Sequence, residues 1–109
     1  MVLFGVVCWC EFLAAAQPPH AVLVVGTHHY SPQLTMPFLA TELERLGFQT
    51  TVINPAWDPE KDERGLPGLE VLKEADVGVF FMRFLQLEDD QLAHITEFIE
   101  SGKAVVGLR

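Results

Sequence analysis

The sequence predicts an α/β domain: a parallel sheet with helices on both of its faces. Three observations predict it. Short apolar runs end in glycine or a polar residue, as in "AVLVVG", which is the pattern of a strand buried on both sides. Stretches with helical spacing, such as "TMPFLATELERLGF" and "LEDDQLAHITEFIESG", separate those runs. The two patterns alternate along the chain, and right-handed strand–helix–strand crossovers then give a flavodoxin-like three-layer sandwich with strand order 2-1-3-4.

The 109 residues suffice for one small domain and not for two. The opening stretch, residues 1–16, is an apolar run that closes on Ala14-Ala15-Ala16 before Gln17 and two prolines. It is expected to be a signal peptide cleaved after Ala16, which places the mature chain in a secreted or periplasmic setting. The competing reading is an extra N-terminal helix or strand; the run is too short to span a membrane. Cys8 and Cys10 both lie in this stretch, so the processed chain has neither a disulfide nor a thiol nucleophile.

From residue 17 the elements follow in order. Ala21–Gly26 is the first strand. The first helix is expected to start at Thr35 as N-cap, with Pro37 in its first turn, Phe38, Leu39, Leu43 and Leu46 as its apolar face, and Gly47 beyond its end. "TTVIN" is the second strand, broken by Pro55. "PAWDPEKDERGLPG", with three prolines, two glycines and six charges, is a surface loop. A short helix spans Leu69 to Glu74, and "VGVFFMRF" is the third strand. The second long helix carries Glu88, Asp89 and Asp90 at its start, Leu92, Ile95, Phe98 and Ile99 on one face, and stops at Gly102. "KAVVGL" is the fourth strand, an apolar edge unless something covers it, so the domain is expected to be incomplete and the strand to offer an oligomer contact.

Composition excludes some functions. A net charge of −8, with seven scattered Lys and Arg, argues against nucleic acid. No membrane association is expected after processing. The positive readings come from topology, since open parallel sheets bind ligands beyond the carboxyl ends of their strands. That rule selects "GTHHYSP" after the first strand, the loop after Asn54, the residues after Met82, and Arg109. "GTHHYSP" fits neither the dinucleotide nor the triphosphate glycine motif. His28, His29 and Tyr30 are candidate pocket residues, set against plain solvent exposure. Adjacent histidines on extended backbone face opposite ways. A metal site would need further ligands from His20, His94 or loop carboxylates, and neither metal nor cofactor is assigned.

A phosphoacceptor domain of the same strand order needs acidic residues where this chain has Thr27-His28 and Met82-Arg83. Arg83 and Arg109 each follow an apolar strand. Two guanidiniums at one sheet edge are suited to clamping a carboxylate or phosphate, or each is simply the first exposed residue after its strand. Trp57 and Asp58 form either a pocket wall or a surface turn.

"VLVVGTHHYSP", "MPFLATELERLGF" and "DVGVFFMRFLQLEDDQLAHITEFIESGKAVVGLR" together resemble the N-terminal half of a trehalose-utilisation (ThuA-like) domain, of the class I glutamine amidotransferase-like superfamily. The resemblance covers residues 21–109 and implies a small sugar-like ligand, with His28, Arg83 and Arg109 as pocket residues. In that family a turn with Thr and His follows the Gly-Leu-Arg segment, where amidotransferases carry a nucleophile elbow. The resemblance therefore implies a hydrolase-like function in carbohydrate metabolism for a complete domain, and a fragment cut before the turn that would hold the decisive residues; glutamine hydrolysis does not follow from the fold. A non-catalytic sugar- or protein-binding module of the same fold is the alternative.

Overall fold

The computed structural model describes residues 17–27, 29–56, 65–83 and 85–109. The expected signal peptide, its two cysteines, His28, Trp57 and Asp58 lie outside the described residues. The elements run β1 (His20–Gly26), α1 (Pro32–Arg45), β2 (Gln49–Ile53), a 3₁₀ helix (Leu69–Glu74), β3 (Val77–Met82), α2 (Asp89–Glu100) and β4 (Ala104–Gly107). The four strands form one sheet in the order β2-β1-β3-β4, with every pairing parallel. The expected α/β fold is therefore present. No described helix is long and apolar enough to cross a membrane.

β1 lies between two neighbours, and all seven of its residues are buried. Its side chains alternate between two cores, as the two-residue period of a strand requires. Val22 and Val24 face the 3₁₀ helix and α2, with Leu66, Leu69, Leu72, Ile95 and Phe98. Ala21, Leu23 and Val25 face α1, with Met36 and Ala40. At the amino end of the sheet, the His20 backbone N–H donates to Asp76 Oδ2 at 2.8 Å, and the Asp76 N–H returns a bond to the His20 carbonyl at 2.8 Å. The His20 ring is buried and its Nε2 lies 2.8 Å from Thr51 Oγ1.

α1 begins three residues before the expected cap. Ser31 is the N-cap, in left-handed backbone and without a side-chain capping bond, and Pro32 occupies the first turn. The buried stripe is Pro32, Met36 and Ala40, flanked by Leu39 and Leu43, whereas Phe38 and Leu46 are exposed. The expected face was therefore rotated: small Ala40 allows the helix to approach β1 closely, and Phe38 falls outside that contact. The end of α1 is as expected. Gly47, at φ 97°, donates to the Glu44 carbonyl at 3.0 Å, and Phe48 donates to the Leu43 carbonyl at 3.0 Å. That pair of bonds is a Schellman closure, which needs a residue at ease in left-handed backbone.

In α2, Ile95 and Phe98 are buried, while Leu92 and Ile99 are half-exposed. Phe98 packs against Phe80 with ring centroids 6.1 Å apart. Gly78 makes the room: a Cβ there would lie 2.6 Å from Phe80 and 2.7 Å from Phe98. The segment between β2 and the 3₁₀ helix is not wholly surface. Leu66 is buried in the core, and its N–H donates to Gln91 Oε1 at 3.2 Å.

Candidate functional site

The carboxyl ends of β1, β3 and β4 bring three chain segments together. After Met82, the Arg83 N–H bonds the Gly26 carbonyl at 3.4 Å, extending the β1–β3 ladder by one step. After Gly107, the Leu108 N–H bonds the Phe80 carbonyl at 2.8 Å, extending the β3–β4 ladder. Both arginines are therefore anchored by backbone pairing immediately before them. Gly26 lets the first of these approaches happen, since a Cβ there would lie 2.6 Å from Met82 Cγ.

The loop after β1 is fixed from within. Thr27 is buried, and its Oγ1 accepts the His29 N–H at 3.1 Å, a local side-chain-to-backbone bond of the kind that shapes turns. Tyr30 (φ 67°) and Ser31 (φ 54°) then both adopt left-handed backbone. Each such non-glycine residue costs about 1–2 kcal/mol. The pair turns the chain from the loop into α1 and leaves the Tyr30 ring at the surface, 74% exposed. There it meets Arg83, whose Nη1 donates to the phenol oxygen at 3.3 Å and whose guanidinium carbon lies 5.9 Å from the ring centroid. At that exposure such a cation–π contact contributes about 0.5–1 kcal/mol.

These pieces border a partly open cavity of about 240 Å³ lined by Tyr30, Phe81, Met82, Arg83, Leu108 and Arg109. Three of the expected site residues, Tyr30, Arg83 and Arg109, are thus brought together. His29 is exposed one residue before Tyr30 and is not among the described lining residues. His28 lies outside the described residues. Sequence reasoning missed Phe81, Met82 and Leu108 as wall residues. The register supplies what the sequence does not: parallel pairing of Phe80 with Gly107 sets Phe81 beside Leu108, two residues before Arg83 and one before Arg109. The lining combines two cations, a phenol and an apolar wall. That set can bind and orient a polar ligand.

A second cavity, about 320 Å³, lies beside the 3₁₀ helix and α2, lined by Leu72, Lys73, His94, Glu97, Phe98, Ser101 and Lys103. Of its two lysines, Lys103 donates from Nζ to the Lys73 carbonyl at 3.2 Å and lies 5.9 Å from the Phe98 ring centroid. Lys103 directly precedes β4, so this cavity sits toward the amino ends of the strands, away from the edge where such sheets bind ligands. His20 is also at that far edge, about 20 Å along β1 from the loop after Gly26. Among the described residues no group of three or more His, Cys, Asp or Glu side chains is placed to hold a metal ion.

No protein-family model matches the sequence, no curated protein matches it, and no solved structure matches it.

Proposed function

We propose that residues 17–109 are the ligand-binding N-terminal half of a secreted ThuA-like domain that acts on carbohydrate, trehalose or a related glycoside. On this reading the cavity between Tyr30, Arg83 and Arg109 holds the sugar, and hydrolase-like chemistry comes from the turn that follows the Gly-Leu-Arg segment in that family. The observation that carries it is the convergence of the post-β1, post-β3 and post-β4 residues on one cavity at the carboxyl edge of a 2-1-3-4 parallel sheet. Its lining also suits a sugar. Phe81, Met82 and Leu108 present apolar surface to ring C–H groups, while Tyr30 and two guanidiniums offer hydrogen bonds to oxygens.

A second reading, a non-catalytic sugar- or protein-binding module, is favoured by a lining of apolar side chains, two arginines and a phenol already hydrogen-bonded to Arg83. Calorimetric titration of the 109-residue chain with trehalose tests what the two sugar readings share. Saturable binding, weakened at least tenfold by Arg83→Ala and without release of glucose, is the expected result. Absence of binding overturns both sugar readings. Glucose release by this chain alone contradicts the assignment of the chemistry to a later turn. A polypeptide extended through that turn separates the two: turnover supports the enzyme, and binding without turnover supports the module.

A further inference from the structure

We propose that Tyr30 determines specificity at the carboxyl-edge cavity: its ring is the platform on which the C–H face of one pyranose ring lies. This rests on the reading of the cavity as a sugar site and specifies which ligands it takes, namely closed sugar rings with an unobstructed C–H face. Tyr30 returns little to the fold. Its backbone is left-handed (φ 67°), as is that of Ser31 after it (φ 54°). Gly, Asn or Asp would adopt that conformation at less cost, and a bulky side chain there is rare. The residue is 74% exposed and joins neither apolar core. Among the described residues its side chain meets Arg83, which is itself exposed. Strain that the fold does not need persists where it serves a site.

The ring is also held in place before any ligand arrives. Thr27 Oγ1 accepts the His29 N–H at 3.1 Å, and the Ser31 carbonyl accepts the Leu34 N–H at 2.9 Å as α1 begins, so the chain is fixed on both sides of Tyr30. At the tip, the phenol oxygen accepts a bond from Arg83 Nη1 at 3.3 Å, and the Arg83 backbone is paired to Gly26. A tyrosine has only two side-chain torsions, and ordering them in advance removes a cost of binding. The surroundings match a pyranose, which carries hydroxyls around its rim and C–H groups on its faces. The phenol oxygen and the guanidinium bonded to it sit at the rim of the platform, where hydroxyls fall. Phe81, Met82 and Leu108 supply apolar surface beside it. The cavity's size, about 240 Å³, is below the roughly 300–1,000 Å³ of common ligand pockets and suits one ring. The two side chains thus divide the work: Arg83 meets the oxygens of any polyol, and Tyr30 requires a ring.

The test is isothermal titration of the full chain with trehalose, glucose and glucitol, repeated for Tyr30→Phe, Tyr30→Leu and Tyr30→Asn, with the Tm of each protein recorded. Glucitol has the hydroxyls of an opened glucose and no ring face, and should bind at least tenfold more weakly than glucose. Tyr30→Phe keeps the platform and should stay within about threefold of the wild type for trehalose, whereas Tyr30→Leu and Tyr30→Asn should each weaken trehalose at least tenfold. Asn tolerates left-handed backbone, so Tyr30→Asn should leave the Tm no lower. Because the chain has one tyrosine, ring-¹³C labelling gives a single set of aromatic signals, which should shift saturably and show Overhauser contacts to sugar C–H protons. Trehalose binding that survives in Tyr30→Leu and Tyr30→Asn overturns the proposal while the sugar-site reading stands. Binding lost as fully in Tyr30→Phe as in Tyr30→Leu overturns it too, because the hydroxyl and not the ring then carries the contact. Glucitol binding as tightly as glucose has the same consequence, as does a loss in Tyr30→Asn that comes with a lowered Tm, which marks a structural residue. No binding of any of the three by the wild type overturns the sugar-site reading and this proposal with it.

Discussion

β1 and β4 are near-copies in composition and opposites in environment. "HAVLVVG" is buried at every residue, while "AVVG" is exposed at every residue, with Val105 and Val106 retaining 47% and 43% of their surface. Both pair in parallel with β3. The difference comes from what lies above and below them. α1 packs over β1 and β2, and the 3₁₀ helix and α2 close the opposite face around Val22 and Val24. On the α1 side, the register puts Ala104 and Val106 in line with Val77 and Val79, beyond the reach of that helix. An apolar strand sequence thus states a requirement for cover and says nothing of where the cover is. The carboxyl edge joins the two halves, because the candidate cavity takes Tyr30 from the loop before α1 and Leu108 and Arg109 from beyond β4.

The contrast can be broken most strongly at its buried end. Leu23→Ala removes a fully buried side chain from the centre of β1 and should cost about 2–5 kcal/mol in urea unfolding. A cost below about 1 kcal/mol would mean that the β1 core is not packed as described. Next, Gly78→Ala drives a methyl group into the Phe80 and Phe98 rings and should cost about 1–3 kcal/mol. A neutral result there would show that the two rings do not meet over β3. Gly47→Ala places a side chain in left-handed backbone at the end of α1, the helix that covers β1, and should cost about 1–2 kcal/mol. The smallest effect belongs to β4. Val105→Thr and Val106→Thr should each change stability by no more than about 0.5 kcal/mol, as is usual for exposed positions. A loss of several kcal/mol at either would reveal cover on β4 in solution.

The parts of the fold that were legible in the sequence are those set by local chemistry. Gly47 and Gly102 mark helix ends because left-handed backbone is needed there, and both residues have positive φ. The strand order followed from the alternation of periods and the handedness of crossovers. What was not legible depended on choices between equal patterns. α1 carries two overlapping apolar stripes, and periodicity favoured the one through Phe38 and Leu46. Close approach to β1 instead selected Pro32, Met36 and Ala40. Leu66 sits among prolines and charges, so only its partners, Gln91 and the core cluster, explain its burial. At the site, Arg83 and Arg109 were visible as charges ending apolar strands. Their apolar neighbours Phe81, Met82 and Leu108 read as strand interior, and only the register of β3 with β4 turns them into a wall.

A ligand cavity at the carboxyl edge of this sheet is tested by amide chemical-shift mapping of the ¹⁵N-labelled chain titrated with trehalose and with glucose. Saturable shifts concentrated at Tyr30, Met82, Arg83, Leu108 and Arg109 are expected, with His20, Asp76, His94 and Lys103 at the opposite edge unmoved. Shifts centred instead on His94, Glu97 and Lys103, or no saturable shift with either sugar, would contradict it.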